Sequence, residues 1–336
     1  MTYSVMLPWQ TAEWEHLMAY VQQDRMPHAL LVYGQQGLGK QYLVQRFAHF
    51  LLCLAPDKKN AACGHCPSCL LMQAHTHPDF YFLAPIEPSE IISIEQIRVL
   101  LQGLSLTSHF NLYRVIIVNQ AHTMNTNAAN AFLKYLEEPV ERTLIVLITD
   151  QYTRLPATII SRCQKLPVMV PANKQSVSWL HLQKSEATVG DIQTCLSLAN
   201  NAPYTALTYL TDNTLSLRNA CYKEWLAVAK QQQHPIIVAE QWIKLTNVTI
   251  VAWMVSWVID ITKFHFTITP QHLFNPDLNN SLQAFAKQLE LKELIMFYDL
   301  LLISQQRMVT QINNQSIYEE ILIAWLNLNS AKKHDS

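Results

Sequence analysis

Uninterrupted apolar runs punctuate the first half of the chain: Leu30-Leu31-Val32-Tyr33, Arg114-Val115-Ile116-Ile117-Val118 and Thr143-Leu144-Ile145-Val146-Leu147-Ile148-Thr149. Short β-branched runs without alternation predict strands buried on both faces, as in the middle of a parallel sheet. Asp79-Phe80-Tyr81-Phe82-Leu83-Ala84, closed by Pro85, reads as another strand. Helical spacing lies between the runs. Trp9 to Val21 is one such stretch, and Lys40 opens a second that continues through Phe47, Leu51 and Leu52 to Cys53. Ser93-Ile94-Glu95-Gln96 is a capping-box start, after which Ile94, Ile97, Leu100, Leu101 and Leu104 share one face. Asn125 to Glu138 is a further helix, stopped by Pro139. Strands alternating with helices predict a doubly wound parallel α/β sheet.

The period changes in the second half. Beyond Pro167 and Pro171, strand signals nearly vanish. Ser176 to Gln183, Ile192 to Asn200 and Tyr204 to Leu210 predict a small three-helix lid. From about Asp212 the pattern is that of a separate all-helical domain. Its expected helices are Leu215 to Gln232, Pro235 to Thr246, Thr249 to Thr262, Leu278 to Glu290, Lys292 to Asn313 and Ile317 to Leu328. Trp225, Trp242, Trp253, Trp257 and Trp325 lie within these apolar patterns and are read mostly as core. The expected division is therefore residues 1–168, 169–211 and 212–336.

A length of 336 residues exceeds one ordinary core, and 50% apolar residues are ample for packed domains. The net charge of −1 leaves no global basic field, which argues against sequence-independent nucleic-acid binding by this chain alone. The N-terminus has no basic-then-apolar leader pattern, and the most hydrophobic run, Ile250 to Ile261, is too short to span a bilayer. Seven cysteines, four of them clustered, suit a reducing cytoplasm and a metal better than a disulfide framework.

The first strand runs into Gly34-Gln35-Gln36-Gly37-Leu38-Gly39-Lys40-Gln41. This is the layout of a P-loop, in which backbone N–H groups at a helix N-terminus cradle phosphate oxygens and a lysine reaches over them. Gly34, Gly39 and Lys40 fit the pattern G-x-x-x-x-G-K-[ST], with Gly37 inside the turn. Gln41 stands where a Ser or Thr hydroxyl would ligate Mg²⁺, an ion that tolerates little departure from octahedral oxygen geometry. In P-loop ATPases a buried run like Arg114 to Val118 ends in Asp-Glu, and the aspartate holds the metal. Here it ends in Asn119-Gln120. An amide takes no proton from water and offers a cation no net charge. A phosphate-like cradle with Gln41, Asn119 and Gln120 at the catalytic positions predicts no functional ATP/Mg²⁺ site and no intrinsic ATPase.

Cys53, Cys63, Cys66 and Cys69 form a C-x9-C-x2-C-x2-C series in a loop after the P-loop helix. Four thiolates brought together make a tetrahedral Zn²⁺ site with no open position, hence a structural one. An iron–sulfur cluster calls for a different fourth spacing. His65, His75 and His77 are alternative ligands, though each reads better as an ordinary histidine.

Ala128-Ala129-Asn130-Ala131, Leu133-Lys134, Leu136-Glu137-Glu138-Pro139 and Ser161-Arg162-Cys163 are similar to motifs of the bacterial clamp-loader family of DNA polymerase III, ATPases of the AAA+ class. The four-cysteine insert is typical of that family. An altered P-loop and Asp-Glu motif beside an intact Ser-Arg-Cys resembles its non-hydrolysing kind of subunit. The likeness is strongest over residues 20–165. It implies an AAA+ RecA-like P-loop domain with a zinc-binding insert, a helical lid, and an all-α collar in which five subunits pack side by side.

The same resemblance implies that Arg162 is an arginine finger acting in trans on a neighbour's ATP. A permanently charged, planar guanidinium suits phosphate oxygens. Family ATPases commonly carry an arginine at the start of the last lid helix; this chain has Asn200-Asn201-Ala202-Pro203-Tyr204-Thr205 there. The implied partners are gamma/tau and delta clamp-loader subunits and, through the complex, the beta sliding clamp and primer-template DNA; no membrane is involved. Two alternatives stay open: an active gamma/tau-type ATPase with an unusual metal shell, and a zinc-dependent DNA-binding protein on a vestigial ATPase fold.

Overall fold

The computed structural model describes residues 6–86, 91–103, 113–245, 250–266, 273–308 and 313–330. Leu104, Thr246, Thr249 and residues 309–312, assigned above to helices, lie outside them. The apolar runs form β1 (Ala29–Tyr33), β2 (Phe80–Leu83), β3 (Arg114–Val118) and β4 (Thr143–Thr149). A fifth strand, β5 (Gln164–Pro167), joins them in one parallel sheet of order β2-β3-β4-β1-β5. The hydropathy pattern did not predict β5. It is an edge strand on which only Leu166 is buried, so no apolar run marks it.

Helices cover both faces of this sheet. In chain order they are α1 (Thr11–Gln22), α2 (Lys40–Leu52), α3 (Pro67–Gln73), α4 (Ile94–Gly103), α5 (Thr126–Glu137) and α6 (Ala157–Ile160). Successive strand residues point to opposite faces. Ala29, Leu31, Ile116, Val118, Ile145 and Leu147 pack against Ile97, Leu100, Phe132, Leu136 and Ile159 of α4, α5 and α6. Leu30, Val32, Val115, Ile117, Leu144 and Val146 are equally buried on the other face, where α2 crosses β3 and β4. The caps follow the sequence signals. Ser93 N–H donates to Gln96 Oε1 (2.9 Å) and Gln96 N–H to Ser93 Oγ (3.3 Å), the reciprocal pair expected at the start of α4. Asn125 caps α5 by accepting from Ala128 N–H.

Contacts divide the chain into two compact units between Gln175 and Ser176. The described elements of the second unit are helical: most of α7 (Asn173–Gln183), then α8 (Val189–Leu198), α9 (Pro203–Thr211), α10 (Thr214–Ala229), α11 (Pro235–Trp242), α12 (Ile250–His265), α13 (Asn279–Gln288), α14 (Leu291–Arg307) and α15 (Asn314–Ser330). All five tryptophans singled out above are buried in it. Trp225 and Trp325 stack at 3.8 Å between ring centroids, and Trp325 Nε1 donates to Trp225 O. Arg218, fully buried, is held by Asp277 and Asn275, while Asp260 accepts from the Phe274 and Asn275 N–H groups. No described helix is long and apolar enough to cross a membrane.

Candidate functional site

Because β3, β4 and β1 are neighbours in a parallel sheet, the residues that follow them meet at its carboxyl edge. These are Asn119, Asp150 and Gly34. That edge, at the point where the chain reverses its direction of winding, is where open α/β sheets bind ligands. The P-loop turn is built for close approach. Gly34 has φ +151°, and a Cβ there would sit 2.4 Å from Val168 O. Gly37 and Gly39 are left-handed, which an L side chain adopts only with strain, and Gly39 precedes α2 without a side-chain cap.

The cradle is filled from within the protein. Lys40, 4% exposed, donates from Nζ to Gly34 O (2.8 Å) and Gln35 O (2.6 Å) and pairs with the Asp150 carboxylate. Burial pushes its pKa down, against the opposing pull of Asp150. Behind the turn, Trp9 Nε1 donates to Leu38 O, and Gln10 Nε2 donates to Leu38 O and Gly39 O. Asn119 Nδ2 donates to Gln41 Oε1 at 3.3 Å, so these two amides engage each other. Gln120, which follows Asn119, is exposed and left-handed (φ 53°). Near them His122 Nδ1 bonds Thr149 Oγ1 at 3.0 Å, and burial holds its pKa below the ordinary value.

The four cysteines converge. The Sγ atoms of Cys53, Cys63, Cys66 and Cys69 all lie within 4.8 Å of one another. Cys63 Sγ and Cys69 Sγ are 3.9 Å apart, close to the edge of about 3.8 Å that a tetrahedron with Zn–S bonds of roughly 2.3 Å requires. Where a loop was expected, α3 brings Cys66 and Cys69 together. Cys66 is its N-cap, Pro67 opens it, and Cys66 Sγ accepts from Cys69 N–H. Cys53 Sγ and Cys63 Sγ accept from the Cys63 and Cys66 N–H groups, donations that favour the thiolate form; at Cys53 burial outweighs them and raises the pKa. This donor set fits a closed four-sulfur metal site. His65 and His77 bond elsewhere, to Cys63 O and to Ser68 Oγ, and His75 is not in the cluster.

Ser161-Arg162-Cys163 follows α6 and directly precedes β5, which places it at the amino edge of the parallel sheet, opposite the P-loop. Arg162 Nη2 pairs with Glu137 Oε1 at 2.7 Å, and Nη1 donates to Thr158 O (2.9 Å) and Ser161 Oγ (3.4 Å). The arginine side chain is 36% exposed and that of Glu137 51%. Cys163 is a packed thiol, its pKa pushed up to about 12 by burial. Three participants were missed in the sequence: Asp150, Gln10 as a brace, and Glu137 as a holder of Arg162. For Asp150 a signal was present, a carboxylate directly after a buried parallel strand. Gln10 and Glu137 carry no local signal, since each acts on a residue remote in sequence.

A family model described as DNA polymerase III, delta subunit, matches residues 9–171, and one described as DNA polymerase III, delta subunit, C terminal, matches residues 212–327. DNA polymerase III subunit delta' of Pseudomonas aeruginosa is 30% identical over 323 residues, covering 96% of this chain and 97% of that protein. The Escherichia coli protein of the same name is 30% identical over 324 residues, 94% of each. A DNA polymerase III gamma subunit-related protein from Thermotoga maritima superposes with a TM-score of 0.49 at 18% identity, covering 93% of this chain and 99% of that one, too loose a fit to carry an argument.

Proposed function

The chain belongs to the DNA polymerase III delta-prime family, and on that premise we propose that it is a non-hydrolysing subunit of the clamp loader. In this reading it assembles in the cytoplasm with gamma/tau and delta subunits. The complex loads the beta clamp onto primer-template DNA. Residues 1–168 form the nucleotide-binding-like domain, 169–211 the lid and 212–336 the collar through which subunits associate. Cys53, Cys63, Cys66 and Cys69 hold a structural Zn²⁺, which ties the end of α2 to α3.

The observation that carries the reading is the Asn119–Gln41 hydrogen bond. A Mg²⁺ ion needs oxygen ligands in tight octahedral array at this spot, and a hydrolysing site needs a carboxylate there to hold the metal. Two amides bonded to each other offer neither charge nor a vacant pair of oxygens. Gln120, turned outward, has no basicity with which to activate water. Arg162 is the residue that acts on another molecule. Glu137, Thr158 O and Ser161 Oγ hold its guanidinium at the surface, where a neighbour's phosphate oxygens can exchange for Glu137.

Mixing the chain with gamma/tau and delta tests the reading, and one stoichiometric complex is the expected result. Loaders carrying Arg162→Ala should assemble normally and lose most clamp-stimulated ATPase; turnover at the wild-type rate would refute the finger. Mg²⁺-dependent hydrolysis by the purified chain, abolished by Lys40→Ala, would establish instead a gamma-type ATPase.

A further inference from the structure

An ammonium group has three protons to donate. In Lys40 all three are engaged by the protein itself: Gly34 O at 2.8 Å, Gln35 O at 2.6 Å and the Asp150 carboxylate. We propose that Asp150 is a built-in counter-anion that takes the place of a phosphate on Lys40 and keeps the P-loop closed to polyphosphates. This goes beyond a site that binds nucleotide but fails to cleave it. Closure here acts on binding, and it comes from a residue outside the three degenerate motif positions.

The carboxylate is placed by the sheet. β1 and β4 pair in the register Tyr33↔Thr149, so Gly34 and Asp150 are each the next residue beyond a paired position. Their juxtaposition is thus set by backbone pairing and does not depend on a flexible surface chain. The turn carrying Asp150 is also pinned. Thr149, 1% exposed, accepts from Gln151 N–H through Oγ1 (3.0 Å) and shares a hydrogen bond with His122 Nδ1. Across from it, Trp9 and Gln10 hold the Leu38 and Gly39 carbonyls, so the loop cannot easily turn other groups toward an incoming anion.

Charge decides the outcome. A polyphosphate entering this cradle meets a carboxylate already paired with Lys40, and like charges at contact distance disfavour each other strongly in a partly buried site. Neither Gln41 nor Asn119 recruits the divalent ion that shields this repulsion in an ATPase. Removing only the negative charge of Asp150 should therefore uncover a cation and a loop of glycines with a preformed affinity for phosphate.

The test is calorimetric titration of the full-length chain with pyrophosphate and with ATP, both without magnesium. Asp150→Asn, which keeps the side chain's shape, should bind pyrophosphate at least tenfold more tightly than wild type. Lys40→Met combined with Asp150→Asn should lose that gain. Equal affinity of wild type and folded Asp150→Asn overturns the proposal. If the variant does not fold, the wild type still decides: a melting temperature raised by millimolar pyrophosphate overturns closure, and an unmoved one supports it. The proposal rests on the non-hydrolysing reading only for the missing metal, and the two fail separately. Hydrolysis by Asp150→Asn would sink that reading and leave closure standing, whereas unchanged pyrophosphate binding would sink closure alone.

Discussion

Two cations lie at opposite edges of the same sheet, Lys40 at the carboxyl edge and Arg162 at the amino edge, and their surroundings are opposite too. Lys40 is 4% exposed, and its donors go to Gly34 O, Gln35 O and Asp150. Arg162 is 36% exposed, with Glu137 on Nη2 and two oxygens of its own turn on Nη1. A guanidinium has five N–H donors in a fixed plane, so three partners do not exhaust it. The lesson concerns availability. A positive charge serves another molecule when its present partners are few, exposed and exchangeable, and Arg162 meets that description while Lys40 does not. The residue that looks most like an active-site lysine is the one bound up in its own fold.

The largest expected effect is at Arg162. Arg162→Ala should lower hydrolysis at the adjoining subunit's site by about a thousandfold, the lower end of what an arginine finger supplies, while altering this chain's stability by less than about 0.5 kcal/mol. Single-turnover ATPase and urea denaturation measure the two halves. Lys40→Ala should do the reverse, costing about 3 kcal/mol of unfolding free energy because it strands Asp150 and two carbonyls. Loader ATPase should stay within about twofold of wild type, since the lysine lies outside the finger's chemistry. A stable Lys40→Ala chain in a dead loader would invert the comparison.

Smaller effects sharpen it. Glu137→Gln breaks an ion pair that is exposed on both sides, so its stability cost should stay below about 1 kcal/mol. A cost near that of Lys40→Ala would mean that the Arg162 corner is held as firmly as the P-loop corner. The smallest effect is electrostatic. Burial lowers the His122 pKa, the Asp150 charge raises it, and Arg154 and Lys40 lower it. Asp150→Asn removes the raising influence, so the imidazole titration followed by NMR should move further down. The sign for stability follows. A histidine kept neutral in the fold contributes stability that is present above its ordinary pKa of 6.5 and lost as pH falls through the lowered folded value. His122→Asn should flatten that part of the pH–stability curve.

Much of the sheet was legible because buried parallel strands have a one-dimensional signature. β1, β3 and β4 appear as apolar runs, the capping pair at Ser93 and Gln96 marks α4, and Pro139 marks the end of α5. The sulfur cluster was legible too, since its ligands are local and closely spaced. β5 was not, because an exposed edge strand buries little and shows no pattern. α3 was hidden for a related reason. At seven residues it is held by Pro67, the Cys66 cap and Gln73 Nε2 bonding Gly64 O, with no apolar repeat to announce it.

Residue identity alone determined which side-chain chemistry stands after the P-loop lysine and at the end of β3. Gln41, Asn119 and Gln120 lack the hydroxyl and carboxylates whatever their placement, because chemistry belongs to the side chain. Only the tertiary structure decided what became of the parts that remain. Lys40 meets Asp150 across 110 residues because β1 and β4 are neighbours, and Arg162 meets Glu137 because α5 and α6 pack together. Those pairings are set by strand order and helix packing, which depend on the whole core at once. Local pattern therefore reveals which groups a chain carries, and the fold determines which of them are free to act.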